Sequence, residues 1–360
     1  MLDVLRAAAT ILVTMNHLRV NQFPPYTETV CNIPGLKAAF FTITRLGIEA
    51  VLLFFVLSGY LVGGRAARRA AQGNFDVASY SIDRFTRIYV PLVPALVCAL
   101  VVGAWDSTPI SAYEAIINGL SLQGVVAPPL LANTALWSLS YEVWFYILCG
   151  AAAALWGGRS YAQFLLAWGL LFVALLVFIR LDPAYLFVWI LGGCAYLIPK
   201  GRGTPVFILG TLLMISGIGL TQLTSISHQV DLSSFSQIPR GTAILVLGFG
   251  YAVVLGVTAR RELHGVIGRV CAKAGAAVAP WSYSLYLIHI PSIVVMRMTG
   301  VLKQENVLSA GSLLRFTGNL AILCAVAVIF WRLFEANTPS VRRLMRSWCL
   351  ATPRGAEAQV

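Results

Sequence analysis

Apolar stretches of about 17–25 residues, the length that crosses the hydrocarbon core of a bilayer as a helix, recur along this chain of 360 residues. Short polar segments separate them. The pattern predicts ten spans, at approximately 2–20, 43–63, 88–105, 136–156, 162–179, 184–198, 204–221, 241–258, 279–298 and 312–334. We therefore expect an all-α fold, a polytopic integral membrane bundle of about ten transmembrane helices.

The composition supports this interpretation. Hydrophobic residues make up 58% of the chain, charged residues 11%, and the mean hydropathy is +0.80. A soluble domain has roughly 25% charged residues, so a soluble protein with one membrane anchor is excluded. The seven cysteines show no paired spacing typical of a metal site, and those in apolar segments are expected to be small core residues. We expect neither a metal nor a disulfide framework.

The distribution of charge sets an expected orientation. The net charge of +12 suggests nucleic acid at first, but most of the 26 Lys and Arg residues fall in alternate short loops and in the C-terminal segment. That pattern orients membrane proteins by keeping basic loops inside. We predict both termini inside, a transmembrane domain over 1–335, a basic cytoplasmic tail over 336–360, contact with membrane lipids, and no nucleic acid partner.

Two ionisable residues, Arg6 and His17, lie in the first predicted span. Eleven helical positions turn by about 1100° and rise about 16.5 Å, so the two side chains share one face, Arg6 near the inner side and His17 near the outer side. Charge at membrane depth is costly and tends to face a bundle interior or a wet cavity. The pair indicates a functional site. The alternative is that both side chains snorkel to opposite membrane surfaces.

Two glutamates are candidates to accompany His17. Glu49 lies near the outer end of the second predicted span, where it can orient the His17 ring, pair with Arg45, or simply be solvated. Glu142 lies one turn into the fourth span and needs a partner, either His17 or an arginine. A carboxylate that holds an imidazole in one tautomer is a common way to make a general base. The alternative for Glu142 is a structural polar contact between spans.

Arg84 and Arg87 stand three residues apart at the inner entrance to the third span, so both guanidinium groups can address one object. Guanidinium groups form charge-assisted hydrogen bonds with phosphate oxygens, so the pair indicates a binding site for a phosphorylated donor on the cytoplasmic side. The alternative is contact with lipid headgroups. In the ninth span, His289 precedes Pro291; it either lines the same cavity or bonds a backbone carbonyl that the proline releases, and the structural role is favoured.

Taken together, these segments resemble the acyltransferase family 3 membrane proteins, and the resemblance covers nearly the whole chain. It rests on Leu2-Asp3 with Arg6 and His17 at the family's spacing, FFVLSGYL at 54–61, Arg84-x-x-Arg87-x-Tyr89, WSLSYE at 137–142, SYSLYLIH at 282–289, and Phe334-Glu335. Each motif is weak alone, but their order across the chain is specific.

The resemblance implies a multi-pass O-acyltransferase of the bacterial inner (plasma) membrane. The expected donor is acyl-CoA, in particular acetyl-CoA or a similar short acyl-CoA, and the acceptor is a hydroxyl of a glycan, glycolipid or exopolysaccharide. The expected residues are His17, Glu142 and Arg6 in catalysis, Arg84, Arg87 and Tyr89 at the donor, Glu49, Trp137 and Ser140 at the acceptor, and no metal ligands. Ionisable residues within the spans also allow two other hypotheses for the function: a proton-coupled secondary transporter or exporter, and a non-catalytic interaction protein.

Overall fold

A computed structural model describes residues 1–108, 110–156, 161–198, 203–224, 226–227, 230–231, 239–259, 261 and 264–350. Within these residues the chain is helical apart from loops and one small antiparallel hairpin, in which β1 (Ile226–Ser227) pairs with β2 (Val230–Asp231). The prediction of an all-α membrane bundle is therefore confirmed.

The helices follow one another in this order: α1 (Leu2–Gln22), α2 (Pro34–Thr44), α3 (Gly47–Ser58), α4 (Gly64–Ala71), α5 (Val77–Trp105), α6 (Ala112–Gly119), α7 (Trp137–Leu155), α8 (Tyr161–Arg180), α9 (Pro183–Ala195), α10 (Thr204–Thr224), α11 (Arg240–Thr258), α12 (Gly265–Val278), α13 (Ser282–Met298), α14 (Ala310–Leu333) and α15 (Thr338–Cys349). A π-helical segment, Gly59–Gly63, joins α3 to α4, and short 3₁₀ segments precede α7, α13 and α15.

Eight helical segments in the described part of the chain are long and apolar enough to cross a membrane: Pro34–Ala71, Val77–Trp105, Leu131–Leu155, Tyr161–Arg180, Thr204–Thr224, Arg240–Thr258, Gly265–Met298 and Ala310–Cys349. The other two predicted spans are also helical. One is α1, which has 21 residues and carries several ionisable groups, and the other is α9, which is apolar but has only 13 residues. The chain is a multi-pass membrane protein; the count of ten and the inside termini stay predictions.

Glycines allow α9 to pack directly against the π-helical segment. A Cβ on Gly59 would stand 1.9 Å from the carbonyl oxygen of Trp189, and a Cβ on Gly192 would stand 2.2 Å from that of Val56. Small residues of this kind let membrane helices approach closely. The approach brings the indole Nε1 of Trp189 to 3.1 Å from Ser58 Oγ, to which it donates a hydrogen bond.

The segment after residue 335 begins with a helix that contacts the bundle. On α15, Arg342 and Arg346 form ion pairs with Asp83 of α5, at 3.3 and 2.9 Å. The predicted division between a membrane domain ending at 335 and a basic tail from 336 stays a prediction, and residues 351–360 of that tail lie outside the described residues.

We predict that Gly59→Ala destabilises the protein because its methyl group would collide with the Trp189 backbone, which has no flexible end that can move aside. Overpacking of this kind costs roughly 1–3 kcal/mol. Thermal unfolding in detergent measures the effect.

Gly169→Ala is the matched control, since Gly169 is also in an apolar helix and nothing lies within 4 Å of its added Cβ. Alanine there is expected to be neutral or stabilising, because a helical glycine costs roughly 0.5–1 kcal/mol relative to alanine. Equal melting temperatures for the two variants would show that the close approach at Gly59 is not a packing constraint.

Candidate active site

Three arginines and one glutamate line a cavity of about 180 Å³ inside the bundle. Arg6 comes from α1, Arg84 and Arg87 from the N-terminal half of α5, and Glu142 from α7. Hydroxyl groups contribute much of the remaining polar lining: Ser58, Ser138, Tyr146, Ser282, Tyr283 and Tyr286. The fold thus brings together the ionisable residues of three distant sequence motifs.

Glu142 is held by hydroxyl donors. Ser58 Oγ donates to Glu142 Oε1 at 2.9 Å, and the Tyr146 hydroxyl donates to the same oxygen. Trp189 in turn donates to Ser58, so a chain of two donors leads to the carboxylate beside the direct donor Tyr146. The expected contact between Glu142 and His17 is not formed. Its place on α7 puts the carboxylate beside the arginine-lined cavity, while His17 packs elsewhere.

Arg87 forms an ion pair with Glu335, which follows the last predicted span. Its Nη1 lies 2.5 Å from Glu335 Oε1, and its guanidinium carbon lies 5.3 Å from the centre of the Tyr283 ring. The other carboxylate oxygen of Glu335 accepts hydrogen bonds from Ser284 N at 3.1 Å and Ser284 Oγ at 2.6 Å. The Phe334-Glu335 motif therefore has a structural explanation, since this buried carboxylate fixes both Arg87 and the start of α13.

Arg84 is less constrained than Arg87. Its guanidinium carbon lies 5.4 Å from the centre of the Tyr146 ring, and it forms no ion pair with a carboxylate in the described part of the chain. Arg84 also lines a second cavity, of about 660 Å³, between α5, α7 and α8. Arg84, Ile88 and Tyr146 line both cavities. The guanidinium group of Arg84 consequently has N–H donors available at the boundary between the two cavities.

Tyr89 belongs to the larger cavity alone. Its ring stacks on that of Phe85, with 4.7 Å between centroids, and both residues line the 660 Å³ space. The residues predicted to bind the donor are therefore divided between the two cavities. Arg87 lines the small cavity, Tyr89 lines the large one, and Arg84 lines both. Its role in donor binding stays a prediction.

Arg6 and His17 lie toward the same neighbouring helix, α13, at two different heights. Arg6 Nη1 lies 3.8 Å from Asp3 Oδ1, and Arg6 lines the small cavity together with Tyr283 and Tyr286. His17 lies at neither cavity; the centre of its ring is 5.1 Å from that of His289. The Tyr286 ring is 6.2 Å from the His289 ring, so a run of aromatic contacts joins the arginine cavity to His17.

Glu49 is buried against α10. Its Oε1 accepts hydrogen bonds from Thr221 Oγ1 at 2.7 Å and Gln222 Nε2 at 2.5 Å. Neither of the expected direct contacts, to His17 or to Arg45, is formed. The reason is the packing of α3, which turns this side chain toward α10. A role at the acceptor stays a prediction, and its present contacts are interhelical.

The two remaining predicted acceptor residues line neither cavity. Ser140 is buried and donates a 2.9 Å hydrogen bond to the carbonyl of Ser121, which also accepts from Trp144 Nε1 at 3.0 Å. Trp137 packs against the rings of Tyr141 and Tyr185, at 5.8 and 5.6 Å between centroids. These contacts hold the loop before α7, and acceptor binding by either residue stays a prediction.

Several residues of the site were not singled out from the sequence as site residues. Ser58 and Tyr286 lie inside motifs of the resemblance, and Tyr146 follows one closely, so the motif positions were a usable signal. Arg19, two residues after His17, lies outside the motifs of the resemblance and gave no such signal. It is buried within α1, and its Nε and Nη1 have no hydrogen-bond partner among the described residues. Its guanidinium lies over the Phe41 ring at 5.4 Å.

Within the described ranges, no group of three or more His, Cys, Asp or Glu side chains is placed to hold a metal ion. A family model described as an acyltransferase domain matches residues 1–332. The chain therefore belongs to acyltransferase family 3 and is an acyltransferase of the membrane. Comparisons with curated proteins and with solved structures gave no match. Family membership favours the enzyme over the transporter and the interaction protein.

We predict that Arg87→Ala destabilises the protein, because it leaves the buried carboxylate of Glu335 without its cation. The loss of a hydrogen bond to a charged group costs about 1.5–3 kcal/mol. Thermal unfolding in detergent measures this loss, and the double variant R87A/E335Q should recover part of it.

Arg297→Ala is the matched control, since it removes an ion pair with Asp106, at 3.1 Å, in which the arginine side chain is 53% exposed. Exposed pairs contribute about 0–1 kcal/mol. If the two arginine variants unfold at the same temperature, Glu335 does not depend on Arg87 as we infer.

Proposed function

Since the chain is a membrane acyltransferase, we propose that it takes a short acyl group, such as acetyl, from acyl-CoA and transfers it to a hydroxyl of a glycan, glycolipid or exopolysaccharide. The proposed location is the bacterial inner membrane, with the donor entering from the cytoplasm. The observation that carries this proposal is the convergence of Arg6, Arg84 and Arg87 on one cavity. Planar guanidinium groups bind phosphate oxygens with charge-assisted hydrogen bonds, and CoA carries several phosphates.

The sizes of the cavities suggest how the donor divides between them. At about 180 Å³ the small cavity is below the roughly 300–1,000 Å³ of typical small-molecule sites, so it suits the thioester end of a donor. The adjoining cavity of about 660 Å³ is large enough for a bulkier part. Arg84 lies at both, which makes it the natural contact for phosphates between the nucleotide and the pantetheine arm.

His17 is the proposed general base. Its imidazole takes the proton of the acceptor hydroxyl as the oxygen attacks the thioester carbon, and a tetrahedral oxyanion forms. Collapse of the intermediate forms the ester, breaks the carbon–sulfur bond and expels the CoA thiolate. The imidazolium then returns its proton to the thiolate. Arg6 supplies positive charge in the cavity that the donor's acyl end enters before it reaches His17.

The route between donor and base follows α13. Tyr286 lines the arginine cavity, and His289 beside it contacts His17. The thioester passes along this helix toward the outer half of the bundle, where the acceptor hydroxyl meets it. Enclosure by the bundle limits hydrolysis of the thioester before an acceptor arrives.

The decisive experiment uses purified protein in nanodiscs with radiolabelled acetyl-CoA and envelope glycolipids and polysaccharides as acceptors. Free CoA thiol and labelled, base-labile ester should appear together. His17→Ala should lower the rate by roughly 10²–10⁴-fold, the usual contribution of a positioned general base, while the variant still folds. Wild-type transfer by folded His17→Ala would exclude His17 as the base, and thiol release without ester formation would contradict acyl transfer.

We also predict that Arg84→Ala weakens acyl-CoA binding about 10–100-fold, corresponding to one or two lost charge-assisted hydrogen bonds, with little effect on stability. No folded-state ion pair is lost, because Arg84 contacts only an aromatic ring among the described charged and aromatic partners. Titration with acetyl-CoA measures the change.

Arg68→Ala is the control for this titration, because Arg68 is an exposed cation on α4, outside both cavities. Equal acetyl-CoA affinity in the Arg84 and Arg68 variants would assign Arg84 to lipid headgroups instead of the donor.

A further inference from the structure

The buried His289 ring has a defined tautomer. Its Nδ1 lies 2.8 Å from the carbonyl oxygen of Tyr286 and 3.1 Å from that of Leu285. Carbonyl oxygens only accept hydrogen bonds, so Nδ1 carries the proton. In the neutral imidazole the other nitrogen, Nε2, is then a bare acceptor.

The helix does not need His289 to compensate for Pro291. A proline removes the hydrogen bond to the carbonyl four residues earlier, which here belongs to Leu287. The Asn133 side chain donates to that carbonyl at 2.7 Å. The contacts of His289 Nδ1 go to two other carbonyls, so they orient the ring and do not repair the helix. The structural role expected from the sequence belongs to Asn133.

The bare Nε2 is the unusual feature. It is fully buried and has no hydrogen-bond partner among the described residues. An unpartnered buried polar atom costs about 1–3 kcal/mol, so a partner is expected in the working state. The nearest aromatic neighbour that can donate is His17, with 5.1 Å between ring centroids and 46° between ring planes. The His17 ring has no hydrogen bond of its own in the described structure.

The geometry points to His289 as a positioning residue for His17: in the reacting complex, its Nε2 accepts a hydrogen bond from the ring N–H of His17. At a centroid separation of 5.1 Å, the two nitrogens come within hydrogen-bond reach when both point along the line that joins the rings. The bond selects one His17 tautomer and leaves the other His17 nitrogen bare as the base. This inference rests on the proposed function of His17.

The proton balance is simple. The acceptor proton moves to the bare nitrogen of His17 and then to the departing thiolate, while His289 keeps its own proton throughout. The bond to Nε2 is strongest while His17 is an imidazolium, because hydrogen bonds from charged donors are stronger than neutral ones. A neutral acceptor also suits this depth, since a carboxylate would be more expensive to bury in a membrane. Glu142, the acceptor expected from the sequence, is occupied by Ser58 and Tyr146.

The test combines ¹⁵N NMR of histidine-labelled protein in nanodiscs with steady-state kinetics. The chain has four histidines, and His17→Ala and His289→Phe identify the two signals of interest. In the wild type bound to CoA, His17 and His289 should each show a single neutral tautomer, with Nδ1 protonated in His289. In His289→Phe, His17 should become a tautomer mixture, and kcat should fall roughly 10–100-fold with an unchanged KM for acetyl-CoA.

His289→Gln is the conservative variant, because its amide can both donate to a carbonyl and accept from His17. It should recover most of kcat and the single His17 tautomer. Asn133→Leu is the structural control, since it removes the bond to Leu287 O and should lower stability while leaving the His17 tautomer unchanged.

Two results would overturn the inference. One is a His17 tautomer mixture in the wild type bound to CoA. The other is wild-type kcat and an unchanged His17 spectrum in His289→Phe while His17→Ala is inactive. In that second case His17 remains the base and the proposed function stands. Activity of His17→Ala would instead remove the proposed function itself, so the two failures are distinguishable.

Discussion

The cost of placing charge inside an apolar bundle organises this protein. Each ionisable side chain at depth must be paired, hydrogen-bonded or hydrated. Arg87 meets this requirement through Glu335, and Glu142 meets it through Ser58 and Tyr146. These contacts link α3, α5, α7, α13 and the short segment that follows α14 around one cavity. The ionisable side chains, which cost free energy to bury, therefore also determine which helices assemble around the site.

Satisfied and unsatisfied polar groups separate structural from functional candidates. Ser140 uses its hydrogen-bonding capacity to hold a loop, whereas Glu49 has two donors from α10 on Oε1 and none on Oε2 among the described residues. Arg84 and His289 likewise retain capacity that the described residues do not fill. Ligand or substrate groups can complete the hydrogen bonding of such side chains. We accordingly propose that the donor binds at Arg84 and that His17, the neighbour of His289, is the base.

Close backbone packing connects the fold to this arrangement. The π-helical segment after Ser58 and the glycines at 59 and 192 allow α9 to approach α3 within backbone contact. Trp189 then reaches Ser58, and Ser58 reaches Glu142. π-Helical turns are frequent at functional sites because they change the direction of side chains within an otherwise regular helix. Here the change of register lies directly beside the cavity.

Apolar run lengths determined the all-α membrane bundle, and helical periodicity put Arg6 and His17 on one face and Arg84 and Arg87 on another. Arg6, Arg84 and Arg87 line the small cavity, whereas His17 contacts His289 of α13. Periodicity does not say which helix packs against a face. For that reason only the tertiary structure shows three contacts: the hydrogen bond from Ser58 to Glu142, the hydrogen bond from α10 to Glu49, and the ring contact between His289 and His17. In a membrane bundle nearly every helix is apolar on several sides, so hydrophobicity selects no particular neighbour, and small residues with polar contacts decide the packing.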